Sequence, residues 1–338
     1  MVTIRIWVYD GIMASGVAGP IDVFNAANHL AAREPEASRP PVSAFTWRVE
    51  SLDGQPVTAS SGQRISVDGK IDARKRADVI LLTAPFFPNM DEFIGRRAQL
   101  VALSSALRHQ RKAGAVLATY CTGNYLLAEA GLLDGRVATT HWAKATDFAR
   151  RYPLVELRAR EVLTGGDGIL SGGSVTSYLN IAVRLVEMFA GEKLAVKTAR
   201  SLLIDMNRAS QASYATLLDE HGHLDPLVAR AQQRMEATLQ EGFRLDELAA
   251  SLAVSERTLN RRFKLATGLA PLAYLQNLRV EVAKQLLESR PVSLEMVSQR
   301  VGYTDISTFR QLFKRKTGLS PSEYQTRFAR ASAEVVRE

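Results

Sequence analysis

Cysteine is nearly absent: the 338 residues contain only Cys121, so no intrachain disulfide can form, and this usage suits a reducing cytoplasm. Histidine is scarce too, with five scattered residues, and no cluster has zinc-ligand spacing. Neither a metal nor a cofactor is therefore expected. No apolar run approaches the roughly 18 residues that span a bilayer. The opening MVTIRIWVYDG has no basic stretch, apolar stretch or cleavage site of a secretory signal, so a cytoplasmic protein without a membrane partner is expected.

A hydrophobic fraction of 46% with 23% charged residues describes a globular chain, and the length suggests two or three domains. The net charge of +8 is unevenly placed. From Leu227 onward there are 18 basic and 12 acidic residues, against 25 and 23 in residues 1–226. A basic last third is what a part that meets phosphates would carry, although a solvated basic face has the same composition.

Residues 1–190 alternate strand-like runs (Ile4–Tyr9, Phe45–Ser51, Val79–Thr83, Val116–Tyr120) with helical stretches (Pro20–Arg33, Asp91–Ala113, Asn124–Ala130, Ser174–Ala190). That alternation predicts βαβ units around a buried sheet. The expected domains are 1–205 and 229–328, joined by a polar linker over 206–228 that includes HGHLDP.

Beyond the linker the pattern is helical and repeats. Leu245, Leu248 and Leu252 fall on Leu294, Val297 and Val301 at a spacing of 49. Thr258, Phe263, Lys264, Thr267, Gly268, Leu269, Pro271 and Tyr274 fall on Thr308, Phe313, Lys314, Thr317, Gly318, Leu319, Pro321 and Tyr324 at 50. Each copy reads as a helix-turn-helix. A first helix (Leu245–Leu252, Leu294–Val301) carries an apolar stripe. Ser255 and Asp305 are suited to cap the second helix, and Gly268 and Gly318 to stop it.

The second helices would bury Leu259/Phe263 and Phe309/Phe313. Their opposite faces would show Arg257, Asn260, Arg261 and Lys264, then Ser307, Arg310, Gln311 and Lys314. Arg, Asn and Gln pair bidentately with base edges in the major groove, and Lys meets phosphates. A helix over Leu272–Glu288 would join two heads set for successive grooves, about 34 Å apart. The alternative is an amphipathic interaction domain.

The segment RTLNRRFKLATGLAPLAYLQNLRVEVAKQLL followed by VGYTDISTFRQLFKRKTGLSPSEY resembles the DNA-binding domain of the AraC/XylS family over residues 226–328. The resemblance implies a transcription regulator on double-stranded promoter DNA, responsive to a small-molecule effector and often dimeric; RNA polymerase would be a further partner.

Cys121 stands between a strand-like run and NYLLAEAGLL. This is a nucleophile-elbow pattern that would put the thiol at a helix N-terminus and lower its pKa, with His141 as candidate base. A buried inert cysteine fits the same spacing. VAGPIDVFNAA, YCTGNYLLAEAGLLDGRVATTHW and SGGSVTSYLNIAVRLVE resemble the class I glutamine amidotransferase-like (PfpI-like) domain of GlxA-type AraC regulators over residues 3–190. That implies a flavodoxin-like α/β fold, with a mostly parallel sheet and helices on both faces, ahead of an all-α C-terminal domain. It also implies a pocket at the strand C-termini, with Cys121 and His141 at the nucleophile and histidine positions.

Two departures argue against catalysis. The acid position falls on Gly16, and TAPFF (Thr83–Phe87) stands where enzymes have Gly-Gly. The expected role is a ligand sensor lined by Asp10, Asp22, Pro85, Phe86, Cys121, Thr122, His141 and Trp142, a dimerisation platform, or both. A cysteine-dependent hydrolase or hydratase, or a thiol redox sensor, is the alternative.

Overall fold

The computed structural model describes residues 1–33, 44–206, 225–289 and 292–328. The chain divides into two compact units, residues 1–211 and 212–338.

In the first unit the strands are β1 (Val2–Trp7), β2 (Phe45–Ser51), β3 (Val57–Thr58), β4 (Arg64–Ile65), β5 (Gly69–Lys70), β6 (Val79–Leu82), β7 (Val116–Tyr120), β8 (Val137–Ala138), β9 (Glu156–Leu157), β10 (Leu163–Gly166) and β11 (Ile169–Gly172). Seven of them form one sheet in the order β10-β11-β7-β6-β1-β2-β5, parallel except for the β10–β11 hairpin. Its central strands are apolar runs, as burial on both faces requires. Helices α1 (Ser15–Ala32), α6 (Ser177–Ala190) and α7 (Glu192–Ser201) form one covering layer, and α3 (Arg97–Lys112) with α4 (Asn124–Glu129) the other. Two short helices, α2 (Met90–Ile94) and α5 (Ala145–Arg151), complete the unit. The chain leaves β1 toward β2 and returns on the other side to β6. The C-termini of β1, β6 and β7 thus lie at a topological switch point.

Several expected boundaries move. Helix α1 begins five residues before Pro20 and carries that proline in its second turn. The single helix expected over Asp91–Ala113 is two, because the chain turns through Gly95 and Arg96 between α2 and α3. The β10–β11 hairpin carries no strand signal in its sequence. Its segment LTGGDGILSGG is too glycine-rich to score as strand, and only pairing with β7 makes it one.

Among the described residues the second unit is all helix: α8 (Pro226–Ala237), α9 (Leu245–Ser251), α10 (Glu256–Thr267), α11 (Pro271–Ser289), α12 (Leu294–Arg300), α13 (Ile306–Thr317) and α14 (Pro321–Phe328). Most of the expected linker, residues 207–224, lies outside the described residues. Residues 226–228 are not linker but the first turn of α8. The Asp225 carboxylate caps the Leu227 and Val228 N–H groups, Pro226 needs no donor there, and Val228 is core.

The sequence repeat becomes two separate hydrophobic cores that share α11. One gathers Leu248, Leu259, Phe263 and Tyr274, the other Val297, Phe309, Phe313 and Tyr324. Tyr274 meets Phe263 edge-on at 5.3 Å, and Tyr324 meets Phe313 at 5.4 Å.

Candidate functional site

Helices α10 and α13 are built by the same local devices. Ser255 Oγ accepts the Thr258 N–H at 3.2 Å, and Asp305 accepts those of Ser307 and Thr308 at 2.9 and 3.1 Å. Gly268 and Gly318 close the helices in the left-handed region at φ +74° and +81°. Beside them the Thr267 and Thr317 hydroxyls donate to the carbonyls of Phe263 and Phe313 and accept the N–H of Leu269 and Leu319. The Thr-Gly-Leu of each copy is a helix stop.

With Leu259/Phe263 and Phe309/Phe313 turned inward, Arg257, Arg261 and Lys264 are exposed, as are Ser307, Arg310, Gln311 and Lys314. Asn260 is half-buried. Residues 257, 260, 261 and 264 occupy the same helical positions as 307, 310, 311 and 314, so each helix offers one contiguous polar face. Arg262 is not part of it. Its guanidinium holds Asp225 through Nε at 2.8 Å and Nη2 at 2.5 Å, fastening the start of α8 to α10. That pair holds the Asp225 carboxyl down at about 2. The Asp-Pro signal of a helix start was present in the sequence; the partner 37 residues away was not.

In the first unit, β7 ends at Tyr120 and the chain turns sharply at Cys121, φ +53°, into a short 3-10 turn and α4. This is the strand–turn–helix elbow, and a non-glycine residue there is strained. A buried polar network holds it. The Cys121 carbonyl accepts from Asn124 Nδ2 and Thr140 Oγ1, each at 3.1 Å. Asn124 Oδ1 in turn lies 2.7 Å from Ser171 Oγ, which accepts the Thr139 N–H at 3.0 Å. None of these four residues had been singled out, because their roles arise from packing between β7, β11 and the segment after β8.

The thiol is not activated. Cys121 is 4% exposed, and burial pushes its pKa up to about 11, against the pull of the Thr122 N–H and the Lys144 charge. The Thr122 hydroxyl donates its one proton to the Pro85 carbonyl. The lowered pKa expected from an elbow is overturned here: desolvation outweighs the helix N-terminus.

Of the expected lining residues, Pro85 and Thr122 are joined by that bond, and Phe86, 56% exposed, donates its N–H to the Gly11 carbonyl next to Asp10. The Asp10 carboxylate accepts the Thr58 N–H at 2.8 Å. His141 Nδ1 accepts the Ala143 N–H at 3.2 Å, and its ring lies 5.2 Å from that of Trp142; both are half-buried. Asp22 stands exposed on α1, and its carboxylate makes no hydrogen bond among the described residues.

In this packing no side chain fits at position 16. A Cβ added to Gly16 would overlap the Tyr120 hydroxyl, which fills the space beside α1 directly before the cysteine. Tyr120 is fully buried, packs edge-on against Tyr178 at 5.4 Å, and its hydroxyl has no hydrogen-bond partner among the described residues.

Comparison with known proteins accords with both halves. Residues 2–188 match the DJ-1/PfpI family, and residues 248–327 match a helix-turn-helix domain family. The chain is 29% identical over 303 residues to the HTH-type transcriptional regulator CdhR of Pseudomonas aeruginosa, covering 89% of this chain and 88% of that one. It is 26% identical over 236 residues to the HTH-type transcriptional regulator GlxA of Rhizobium meliloti, covering 68% and 71%. A solved structure, a putative transcriptional regulator protein from Vibrio parahaemolyticus, superposes with a TM-score of 0.51 at 15% identity, over 60% of this chain and 98% of that one, and shows the fold. The chain belongs to the DJ-1/PfpI family through its N-terminal unit and, with a helix-turn-helix domain fused to it, is a DNA-binding transcription regulator.

Proposed function

We propose that α10 and α13 read successive major grooves of promoter DNA through Arg257, Asn260, Arg261 and Lys264 and through Ser307, Arg310, Gln311 and Lys314. The observation that carries this is the recurrence of one largely exposed polar face at matching positions on two helices that are each side-chain-capped at the start and glycine-stopped at the end. Arg261 and Arg310 suit guanine, Asn260 and Gln311 adenine, and the lysines phosphate. Arg261→Ala is expected to weaken operator binding by about 1–3 kcal/mol and to relax discrimination at one base position. Competition binding against single-base operator variants measures this. Unchanged affinity and base preference would remove Arg261 from the interface.

The N-terminal unit, on this reading, is a sensor rather than an enzyme. A thiol that stays neutral and an acid seat filled by Tyr120 support it. A small metabolite would bind at the switch point by Cys121 and bias the DNA-binding state through differential affinity. In a thermal-shift screen of the full chain against a metabolite library, a ligand at 100 times its Kd adds about 2.7 kcal/mol. That corresponds to roughly 5–10 °C for the first unit. The shift is expected to survive Cys121→Ser; its loss in that variant would make the thiol part of the chemistry.

A further inference from the structure

The two helix-turn-helix cores are distinct, and α11 contributes its first half to one and its second half to the other. Near its middle stands Arg279, only 7% exposed. Its Nε donates to the Leu239 carbonyl at 3.1 Å and its Nη2 to the Glu241 carbonyl at 2.6 Å, both in the segment between α8 and α9 of the first core. Its guanidinium carbon lies 5.1 Å from the ring centre of Tyr303, in the turn between α12 and α13 of the second. Tyr303 packs in turn on Phe309 of α13 at 5.9 Å. One planar side chain with fixed donor directions thus ties the loop of the first helix-turn-helix core to the turn that launches the second recognition helix.

The turns themselves give an independent reason. The two copies place Ala253 and Gly302 at the same point, both with positive φ, +55° and +76°. Alanine in the first turn shows that the backbone conformation alone does not demand glycine. At Gly302 a Cβ would lie 2.6 Å from Arg279 Nη2 and 2.7 Å from the Leu239 carbonyl. Glycine is needed only in the turn where the two helix-turn-helix cores meet. That turn is also the one longer by a residue.

We propose that Arg279 sets the mutual placement of α10 and α13, and thereby the separation of the two base motifs the protein accepts. This rests on the reading that both helices enter DNA. A rigid link lets the second head bind at a high effective concentration only when the motifs sit at the matching distance. A loosened link accepts several distances and gains less from each.

The test is selection by the full-length chain from random duplexes three helical turns long, for the wild type and Arg279→Met. The wild type is expected to recover two motifs at one separation, near one turn, about 10 base pairs. Arg279→Met is expected to recover the same motifs at separations scattered over several base pairs. On a duplex with both motifs at the wild-type separation, the variant should bind about tenfold more weakly, and on either motif alone within about twofold. A single unchanged separation with equal affinity overturns the proposal, as does equal weakening on single-motif and double-motif duplexes. If Arg279→Met does not fold, Tyr303→Ala, which leaves both carbonyl bonds in place, must show the same scatter, and a single separation there overturns it. A wild-type chain that selects no paired motif refutes the two-head reading itself.

Discussion

Replacing Arg5 by Met is expected to destabilise the N-terminal unit by about 3–5 kcal/mol, the cost of leaving a buried charge uncompensated. Arg5 and Glu50 lie on neighbouring central strands, with side chains 2% and 4% exposed, and are joined at 2.6 Å between Nη2 and Oε2. Arg5 Nη1 also donates to the Asp72 and Lys75 carbonyls, each at 2.7 Å, pinning the segment between β5 and β6 to the sheet. Met would fill the volume and supply none of this. Glu50 would keep only Arg48, 3.8 Å away and half-exposed. At ~2–4 °C per kcal/mol for a unit of this size, the first melting transition should fall by roughly 6–20 °C. Adding Glu50→Leu should recover part of the loss, because the stranded charge goes while the two carbonyls stay unsatisfied. Calorimetry of the single and double variants decides it. A single variant within 1 kcal/mol of wild type would mean water reaches this pair.

Cys121 should alkylate slowly, and ever faster as pH rises. With the thiol held at about 11, the reactive thiolate at pH 7.5 is roughly 10²–10³-fold scarcer than for a free cysteine of pKa about 8.5. The rate with iodoacetamide should climb about tenfold per pH unit, without a plateau below pH 10. The linkage has a definite sign. Because the folded-state pKa is raised, the neutral thiol's contribution to stability is complete below about 8.5 and is lost as pH rises through 11. A plateau near neutral pH would instead reveal an activated thiol. It would favour the redox-sensor or hydrolase alternatives over a non-covalent sensor.

The two outcomes separate what is local in this chain from what is not. Helices α10 and α13 were legible because their signals are local. Ser255 and Asp305 cap groups two or three residues away, Gly268 and Gly318 stop helices by their own φ, and the apolar stripe is a matter of period. The same holds for the parallel core strands, which are apolar runs whatever they pair with. The elbow at Cys121 was also visible as strand, turn and helix.

Its chemistry was not visible. Whether an elbow thiol is activated or silenced depends on the balance of dipole and desolvation, and desolvation is set by distant parts of the chain. Tyr120 fills the seat beside Gly16, 104 positions earlier in the sequence, and the Thr122 hydroxyl turns to Pro85, 37 positions earlier. The glycine-rich β10–β11 hairpin has no strand propensity of its own and exists through β7.

By itself, then, the sequence determined the two-part architecture, the two recognition helices with their polar faces, and the position of the elbow, because each rests on contacts within a few residues. Only the tertiary structure decided that the thiol is buried with a raised pKa, that Arg262 serves Asp225 rather than the exposed polar face of α10, and that Arg279 meets both helix-turn-helix cores. These depend on which side chains the fold brings within 3 Å of one another and on how much water it removes from between them, and neither quantity is written in local spacing.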